Sequence, residues 1–247
     1  MVKALEVKSV SKEYYTRKNV VKAVGNLSFV LNEGSVMGFL GPNGAGKTTT
    51  MKMILGLDSP TKGAIKIFNQ PAGSTLAAKY IGYLPENPLF YRYLSGLEMV
   101  IMHGQLMGLN YRQAKKEAAH LLKSVGLDKA MNQSIREYSK GMVQRAGLAQ
   151  ALIGSPSILL LDEPFSGLDV LGRYEMKKVL LDLKQQGKTI LFNSHILSEV
   201  EEICDEVGII DQGKLLIKDK IVKLLKPKQS LENYFVSVIE SERSKKC

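Results

Sequence analysis

Nowhere in its 247 residues does the sequence hold an apolar run long enough to cross a membrane. A spanning helix needs about 20 predominantly apolar residues, and the longest fully apolar runs, such as Ile158 to Leu161, are a few residues. The opening Met1 to Glu6 has no apolar core of signal-peptide length, so no secretory route is expected. Any membrane role must therefore draw its membrane part from another chain. Cysteine is nearly absent. Cys204 and Cys247 lie far apart, which gives neither a disulfide framework nor metal-ligand spacing and suits two free thiols in a reducing compartment. There is no internal repeat, low-complexity tract, long Gly/Ser linker or heptad series, which excludes fibrous, disordered and coiled-coil classes.

What is present is an ordinary globular composition, 45% hydrophobic and 23% charged, enough for one large domain or two small ones. The formal net charge is +10. That balance suits phosphate ligands, nucleic acid or an anionic membrane face without choosing among them. Between Asp211 and Cys247 stand nine Lys/Arg and five Asp/Glu. This stretch is either a solvated basic face, the simpler reading, or a surface near acidic lipid head groups.

Short alternating bursts at Leu5 to Val10 and Leu27 to Leu31 predict half-buried antiparallel strands, with a turn at Asn32-Glu33-Gly34. Val36 to Leu40 is a short apolar run and predicts a buried strand; Ile65 to Phe68 and Tyr80 to Leu84 predict two more. Helical spacing fills Leu97 to Ile153, an inserted helical subdomain. Strands return at Ile158 to Leu161, Thr189 to Phe192 and Val207 to Ile210, separated by helices at about Leu171 to Gln185 and Leu197 to Cys204. Strands alternating with helices predict an α/β fold with a mostly parallel sheet. The last residues predict a basic tail with an amphipathic stretch, Leu231 to Val238.

Gly41-Pro42-Asn43-Gly44-Ala45-Gly46-Lys47-Thr48, followed by Thr49, fits a phosphate loop. Its glycines allow successive N–H groups to point into one concave nest, and the helix that follows adds its positive end. Lys47 then supplies a cation to the β- and γ-phosphates of a nucleotide, and the Thr48 hydroxyl a ligand to Mg²⁺. The alternative, a Gly-rich turn without a ligand, does not account for the apolar strand before it and the helix-forming residues after it.

Ile158 to Leu161 runs into Asp162 and Glu163. A buried strand carries charge at its tip when something there needs it. Beside a nucleotide, Asp162 would support the Mg²⁺ shell and Glu163 would act as general base toward water. Taken alone, the pair is equally well read as a strand emerging into solvent. Ser139 and Gly141 precede a helix-forming run from Met142 to Leu152, a second place where a hydroxyl and a helix N-terminus meet. His103 and His120 are read as structural or surface residues, whereas His195, after Ser194, follows a sheet strand.

The order of these motifs resembles the ABC ATPase family across nearly the whole chain: the phosphate loop, the signature Tyr138-Ser139-Lys140-Gly141-Met142, the acidic strand, Ser166-Gly167-Leu168-Asp169 as D-loop, and His195 as switch histidine. The resemblance implies a P-loop NTPase core, an N-terminal antiparallel β-subdomain and an inserted helical subdomain. On that scheme residues 1–220 form the ATPase domain, with the insert at about 90–153, and 221–247 a short basic tail. It implies ATP and Mg²⁺ as cofactors and Tyr14 as the ring stacked on adenine, although the neighbouring Tyr15 competes for that place. Gly41 to Thr49, Ser139, Gly141 and Asp169 are implied to bind nucleotide; Thr48, Glu86 and Asp162 to face the metal; Glu163, His195 and Lys47 to serve hydrolysis. The signature is implied to serve ATP on another subunit, so that a homodimer or heterodimer sandwiches two ATPs.

Two positions depart from the commonest family text. Lys140 and Met142 flank Gly141 where Gly and Gln are usual, and Glu86 stands in the place of the glutamine in Ile81-Gly82-Tyr83-Leu84-Pro85-Glu86. An ionised carboxylate still offers oxygen to a metal but donates no hydrogen bond. Lys140-Gly141-Met142-Val143-Gln144-Arg145, with Ser198 to Glu201 and Ser230-Leu231-Glu232, resembles the branch related to antibiotic-resistance exporters. That resemblance implies a peripheral subunit at the cytoplasmic face of the membrane, paired with a separately encoded integral membrane subunit and working in export. Phe90-Tyr91-Arg92-Tyr93 is either a contact for that subunit or packing. The rival reading is a non-transport ABC ATPase acting on nucleic acid or ribosomes; such proteins usually carry tandem cassettes or a long coiled coil, and neither is seen here. No nucleic-acid partner is therefore expected.

Overall fold

The structure is a computed structural model that describes residues 2–15 and 19–244. Cys247 and the last two lysines of the basic stretch lie outside the described residues. In chain order, β1 (Lys3–Tyr15) and β2 (Val20–Asn32) form an antiparallel ribbon, β3 (Val36–Leu40) enters the centre of the molecule, and α1 (Lys47–Ile54) follows the glycine-rich loop. β4 (Lys62–Ile67) and β5 (Gln70–Pro71) complete an antiparallel sheet in the order β2-β1-β4-β5. The single turn α2 (Thr75–Ala78) leads into β6 (Ile81–Leu84). The helical insert comprises α3 (Gly96–Leu106), α4 (Tyr111–Ser124), a 3₁₀ turn at Ile135–Glu137 and α5 (Lys140–Leu152). β7 (Ile158–Asp162), α6 (Val170–Gln185), β8 (Thr189–Asn193), α7 (Leu197–Ile203), β9 (Glu206–Asp211) and β10 (Lys214–Lys220) follow, then α8 (Ile221–Leu224) and α9 (Leu231–Ser244).

The second sheet has the order β10-β9-β3-β8-β7-β6, parallel throughout except for β10, which pairs antiparallel with β9. Strands β3, β7, β8 and β9 are buried along their whole length because both faces are covered. In β3, Met37 and Phe39 meet Leu5, Val7 and Phe29 of the antiparallel sheet, while Val36 and Leu40 face the helices. Leu159 and Leu161 of β7 face the helices in the same way, and Ile158 and Leu160 the other sheet. A Cβ on Gly38 would stand 2.4 Å from Val200 Cγ1, so glycine there lets α7 lie close against β3.

The ribbon strands are longer than their alternation predicts. Val7 pairs with Phe29 and Val10 with Leu27, one extra residue on β1, and Val10/Leu27 to Lys12/Val24 puts one extra on β2. Ser9 and Asn26, at these two bulges, have positive φ of 49° and 53°. Each bulge shifts the side-chain face, which breaks the period-two pattern into short bursts. The insert starts its helices with strong local signals: Ser95 with Glu98 and Asn110 with Gln113 form complete capping boxes.

The C-terminal segment, expected as a basic tail with an amphipathic stretch at Leu231 to Val238, carries a helix there. Lys214–Lys220 is a sheet strand, and residues after 220 are packed: α9 buries Leu231 and Ile239 and lies against α7. The Leu231 N–H donates to Glu201 Oε2 at 2.8 Å, and Arg243 Nε donates to Asp211 Oδ2 at 3.3 Å.

Candidate active site

The carboxyl ends of β3, β6, β7 and β8 open on one side of the parallel sheet, the edge at which open α/β sheets bind ligands. There a cavity of about 470 Å³ is lined by Asn43 to Thr49, Glu86, Asp162, Glu163, His195 and Ala23 of β2. Two of the loop's three glycines, Gly41 and Gly46, have no space to spare. A Cβ on Gly41 would lie 2.3 Å from the Ile210 carbonyl oxygen, and one on Gly46, at φ +103°, would lie 2.7 Å from that of Ala23. The Gly213 N–H holds the Ala45 carbonyl from the β9–β10 turn at 2.9 Å. Gly46 caps α1 without a side-chain bond, so the first N–H groups of α1 face the cavity without an intrahelical partner. The Thr50 hydroxyl donates back to the Gly46 carbonyl at 2.8 Å.

Lys47 is buried and curls over its own loop, its Nζ donating to the Gly41 carbonyl at 2.6 Å and the Pro42 carbonyl at 3.2 Å. Burial lowers its pKa, opposed by the charges of Glu163 and Asp162. Gly41 and Pro42 thus stand behind the cavity wall, as the supports of the lysine. Thr48 and Thr49 open onto the cavity from the first turn of α1. Thr48, Asp162 and Glu86 present hydroxyl and carboxylate oxygens to the same space, a donor set that fits Mg²⁺. Among the described residues no group of three or more His, Cys, Asp or Glu could hold a metal by itself. That fits an ion whose shell is completed by substrate phosphates and water.

Asp162 and Glu163 differ sharply. Asp162 is buried, and Asn193 Nδ2, opposite it in the β7–β8 register, donates to its Oδ1 at 2.9 Å. Burial raises the Asp162 pKa, the Asn193 bond opposes that, and the charge of Glu86 raises it further. Glu163 sits at φ +50°, a left-handed conformation unusual for a residue with a side chain. Its backbone is pinned by Glu163 N–H to the Asn193 carbonyl at 3.1 Å and Ser166 N–H to the Glu163 carbonyl at 2.9 Å. Its Oε2 accepts from His195 Nδ1 at 2.7 Å and from the His195 N–H at 3.3 Å. A carboxylate only accepts, so the proton is on Nδ1 when Glu163 is ionised. Glu86 accepts from the Ser166 hydroxyl at 3.3 Å.

The raised pKa of Asp162 makes it a strained charge. A carboxyl whose pKa is higher in the folded than in the unfolded state contributes stability below its unfolded pKa and loses it as pH rises through the folded one. At pH 7 Asp162→Asn is therefore expected to stabilise the nucleotide-free protein by about 1 kcal/mol, roughly 2–4 °C in melting temperature. The gap should narrow as pH falls toward the raised pKa of Asp162, where the parent carboxyl takes up a proton. Calorimetry of both proteins across this range checks it; a variant that melts lower at pH 7 would show that burial does not strain Asp162.

Other expected residues fall elsewhere. Ser139 caps α5, its Oγ accepting from the Met142 N–H at 3.2 Å, and Asp169 caps α6, its Oδ1 accepting from the Gly172 N–H at 2.8 Å. With Gly141 they line a second cavity, about 380 Å³, that shares no residue with the first. Tyr14 stands beside the first cavity rather than in its wall. Its hydroxyl donates to Asp58 Oδ2 at 2.7 Å, which raises its pKa, and a bond with Thr49 opposes that. Tyr15 is 70% exposed and turned the other way, its hydroxyl donating to Glu13. The sequence reading missed Ala23, Thr50 and Asn193. Asn193 had a signal: it is the polar tip of an apolar strand, as Asp162 is.

Residues 24–166, more than half the chain, match the family model described as ABC transporter. The chain is 45% identical over 214 residues to an uncharacterized ABC transporter ATP-binding protein of Nostoc sp., covering 86% of this chain and 64% of that protein. It is 41% identical over 198 residues to the bacitracin transport ATP-binding protein BcrA of Bacillus licheniformis, covering 79% and 64%. The chain thus spans less than two thirds of the length of these curated relatives. Among solved structures, an ATP-binding subunit of an ABC transporter superposes with a TM-score of 0.84 at 28% identity, covering 96% of this chain and 99% of that one. A dimeric ATP-binding cassette in a post-hydrolysis state, bound to ADP and Pi, superposes with a TM-score of 0.80 at 25% identity, covering 88% and 98%. The glycine-rich loop, the acidic strand tip and His195 line one cavity of a chain that matches the family model and these relatives: it belongs to the ABC transporter family, as an ATP-binding protein.

Proposed function

We propose that two copies of this chain, or one copy and a homologue, close head to tail on two ATPs and hydrolyse them to drive export through a separately encoded membrane subunit. The observation that carries this reading is the separation of the two cavities. One holds the phosphate loop, Asp162, Glu163 and His195; the other holds Ser139 and Gly141 at a helix N-terminus, and no residue lines both. A second copy is the simplest way for a serine and a helix end to meet a phosphate bound elsewhere. The dimeric relative bound to ADP and Pi supports both pairing and hydrolysis.

In this mechanism Gly44, Gly46 and the first N–H groups of α1 receive the phosphates, and Lys47 exchanges its loop carbonyls for phosphate oxygens. Glu163, held in a fixed left-handed backbone, accepts the proton of the attacking water, and His195 keeps the carboxylate aimed through Nδ1. Thr48 and Asp162, with Glu86 beside them, would hold Mg²⁺, which would supply charge neutralisation to the phosphates. Tyr14 supplies the ring for adenine; Tyr15 faces away. Ser139 and Gly141 bind the γ-phosphate of the other copy's ATP, and Asp169 orders the D-loop beside them.

Among the described residues no helix is long and apolar enough to cross a membrane; on this reading a separate membrane subunit supplies the pore and this chain works at its cytoplasmic face. Leu89, Tyr91 and Tyr93 are exposed a few residues after Glu86 and offer an apolar contact for that chain. Export rests on similarity to the bacitracin transport protein. The test is affinity capture of the tagged chain with ATP in mild detergent. A multi-span membrane protein in stoichiometric yield is expected. Ribosomes or nucleic acid in its place would overturn the transport role and favour a non-transport ATPase.

A further inference from the structure

We infer that Asp58 is a positioning residue for the nucleotide base: with Lys12 it locks the Tyr14 ring in one orientation and leaves one face of it to stack. This rests on Tyr14 as the adenine ring, as proposed above. Lys12 and Tyr14 stand two residues apart on β1 and so point to the same side of the strand, toward the turn that follows α1. Glu13 and Tyr15 point to the other side, where the Tyr15 hydroxyl donates to Glu13 Oε2 at 2.9 Å. In the turn, the Leu57 and Asp58 N–H groups both donate to the Lys52 carbonyl, at 2.9 and 3.3 Å, which folds Asp58 back against the end of α1. Both of its carboxylate oxygens are then used. Oδ1 accepts from the Lys12 ammonium, which also donates to the Ser59 carbonyl at 2.8 Å, and Oδ2 accepts from the Tyr14 hydroxyl at 2.7 Å.

These contacts fix a ring that would otherwise turn. Tyr14 is 38% exposed, and a side chain that open to water samples several rotamers unless its tip is tied. The tie is a charge-assisted bond, because Lys12 and then Tyr14 hold the Asp58 carboxyl below the usual carboxylate range and keep it ionised at neutral pH. Thr49, in the wall of the nucleotide cavity, engages the same hydroxyl from the first turn of α1. The ring is therefore anchored to the helix that carries the phosphate loop. Lys12 Nζ stands 4.9 Å from the ring centroid and closes that face to a flat partner. A base whose phosphates lie in the cavity meets the other face, already oriented, and a ring ordered beforehand removes its own ordering cost from binding. Tyr15, tied to Glu13 across the strand, has no path to the same place.

The experiment measures binding of Mg-ATP and of Mg-tripolyphosphate to the full chain by isothermal titration calorimetry. Tripolyphosphate fills the phosphate loop and carries no base, so it reports the cavity apart from the ring. Tyr14→Phe keeps the stacking area and loses only the hydroxyl; Asp58→Ala removes the anchor. Each should weaken Mg-ATP by about three- to tenfold, the cost of ordering one side chain on binding, and leave tripolyphosphate within about twofold of the parent. The double variant should be no worse than either single one, because both break the same tie. Tyr15→Phe should bind both ligands as the parent does. Mg-ATP affinity at the parent's level in Tyr14→Phe or Asp58→Ala would overturn the assignment. So would an equal loss for tripolyphosphate, which would make Asp58 a support of the loop rather than of the ring. Tyr14→Ala tests the stacking itself: a loss of roughly 10- to 100-fold for Mg-ATP alone is expected, and no loss would remove the ring from adenine and this inference with it.

Discussion

Glu163→Gln should lower steady-state ATP turnover by about 10²–10⁴-fold while leaving ATP binding intact, the usual contribution of a positioned general base. The substitution preserves shape and removes only the basic oxygen. Glutamine retains the backbone bonds that hold residue 163 at φ +50°, from Glu163 N–H to Asn193 and from Ser166 to the residue 163 carbonyl. It also retains an amide oxygen able to accept from His195 Nδ1, which stands 2.7 Å from the carboxylate. What it cannot do is take a proton from water. Strain at φ +50° argues in the same direction, because a left-handed non-glycine residue persists where its placement is over-determined by its surroundings. The measurement is phosphate release under multiple- and single-turnover conditions, with gel filtration in Mg-ATP. Loss of turnover together with a persistent ATP-bound dimer is expected. Turnover within about threefold of the parent would remove Glu163 from the role of base, since no general-base contribution is that small.

The site was legible in the sequence where chemistry contradicts burial. Charge at the tip of Ile158 to Leu161 and a lysine after three glycines are odd in a core unless a ligand is present, and both stand at one cavity in the fold. The apolar runs at Val36, Ile158 and Thr189 were legible for the same reason, being short and unbroken as strands covered on both faces must be. Legibility failed where the pattern is carried by the backbone. The bulges at Ser9 and Asn26 hide the length of the ribbon, and nothing in the letters Asp162-Glu163-Pro164 announces a left-handed glutamate. β10 escaped because Lys214 to Lys220 is charged at both ends and only half-buried, an edge strand whose composition resembles a tail. The amphipathic stretch of α9 was visible, but its docking on α7 depends on Glu201 and Asp211, residues remote in sequence.

The second large effect is structural, at Gly82 in the edge strand β6. A Cβ there would lie 1.9 Å from the Ala151 carbonyl oxygen, 2.8 Å from Leu159 Cδ2 and 2.9 Å from Pro156 Cγ. Replacing glycine by alanine at an ordinary φ usually stabilises by about 0.4–1 kcal/mol, because the unfolded chain loses freedom. Here that gain is overwhelmed. The obstructing atom is backbone at the end of α5, and it cannot rotate away, so α5 or β6 must move. Gly82→Ala should destabilise by about 2–3 kcal/mol, the upper range of overpacking, and lower the melting temperature by roughly 5–10 °C. Gly147→Ala is the control at the same interface. Its Cβ would lie 2.7 Å from Leu84 Cδ1, the far end of a flexible side chain that can turn aside, so a loss of no more than about 1 kcal/mol is expected. Equal melting of the two variants, or a Gly82→Ala protein as stable as the parent, would show that the close approach of α5 to β6 is not rigid. The consequence reaches the site because this contact fixes two functional segments at once. α5 carries Ser139 at its other end, and β6 runs two residues on into Glu86. A helix lifted from Gly82 displaces the serine that meets one nucleotide relative to the carboxylate that lines the cavity of the other, so loss of ATP turnover in Gly82→Ala should exceed the loss of folded protein.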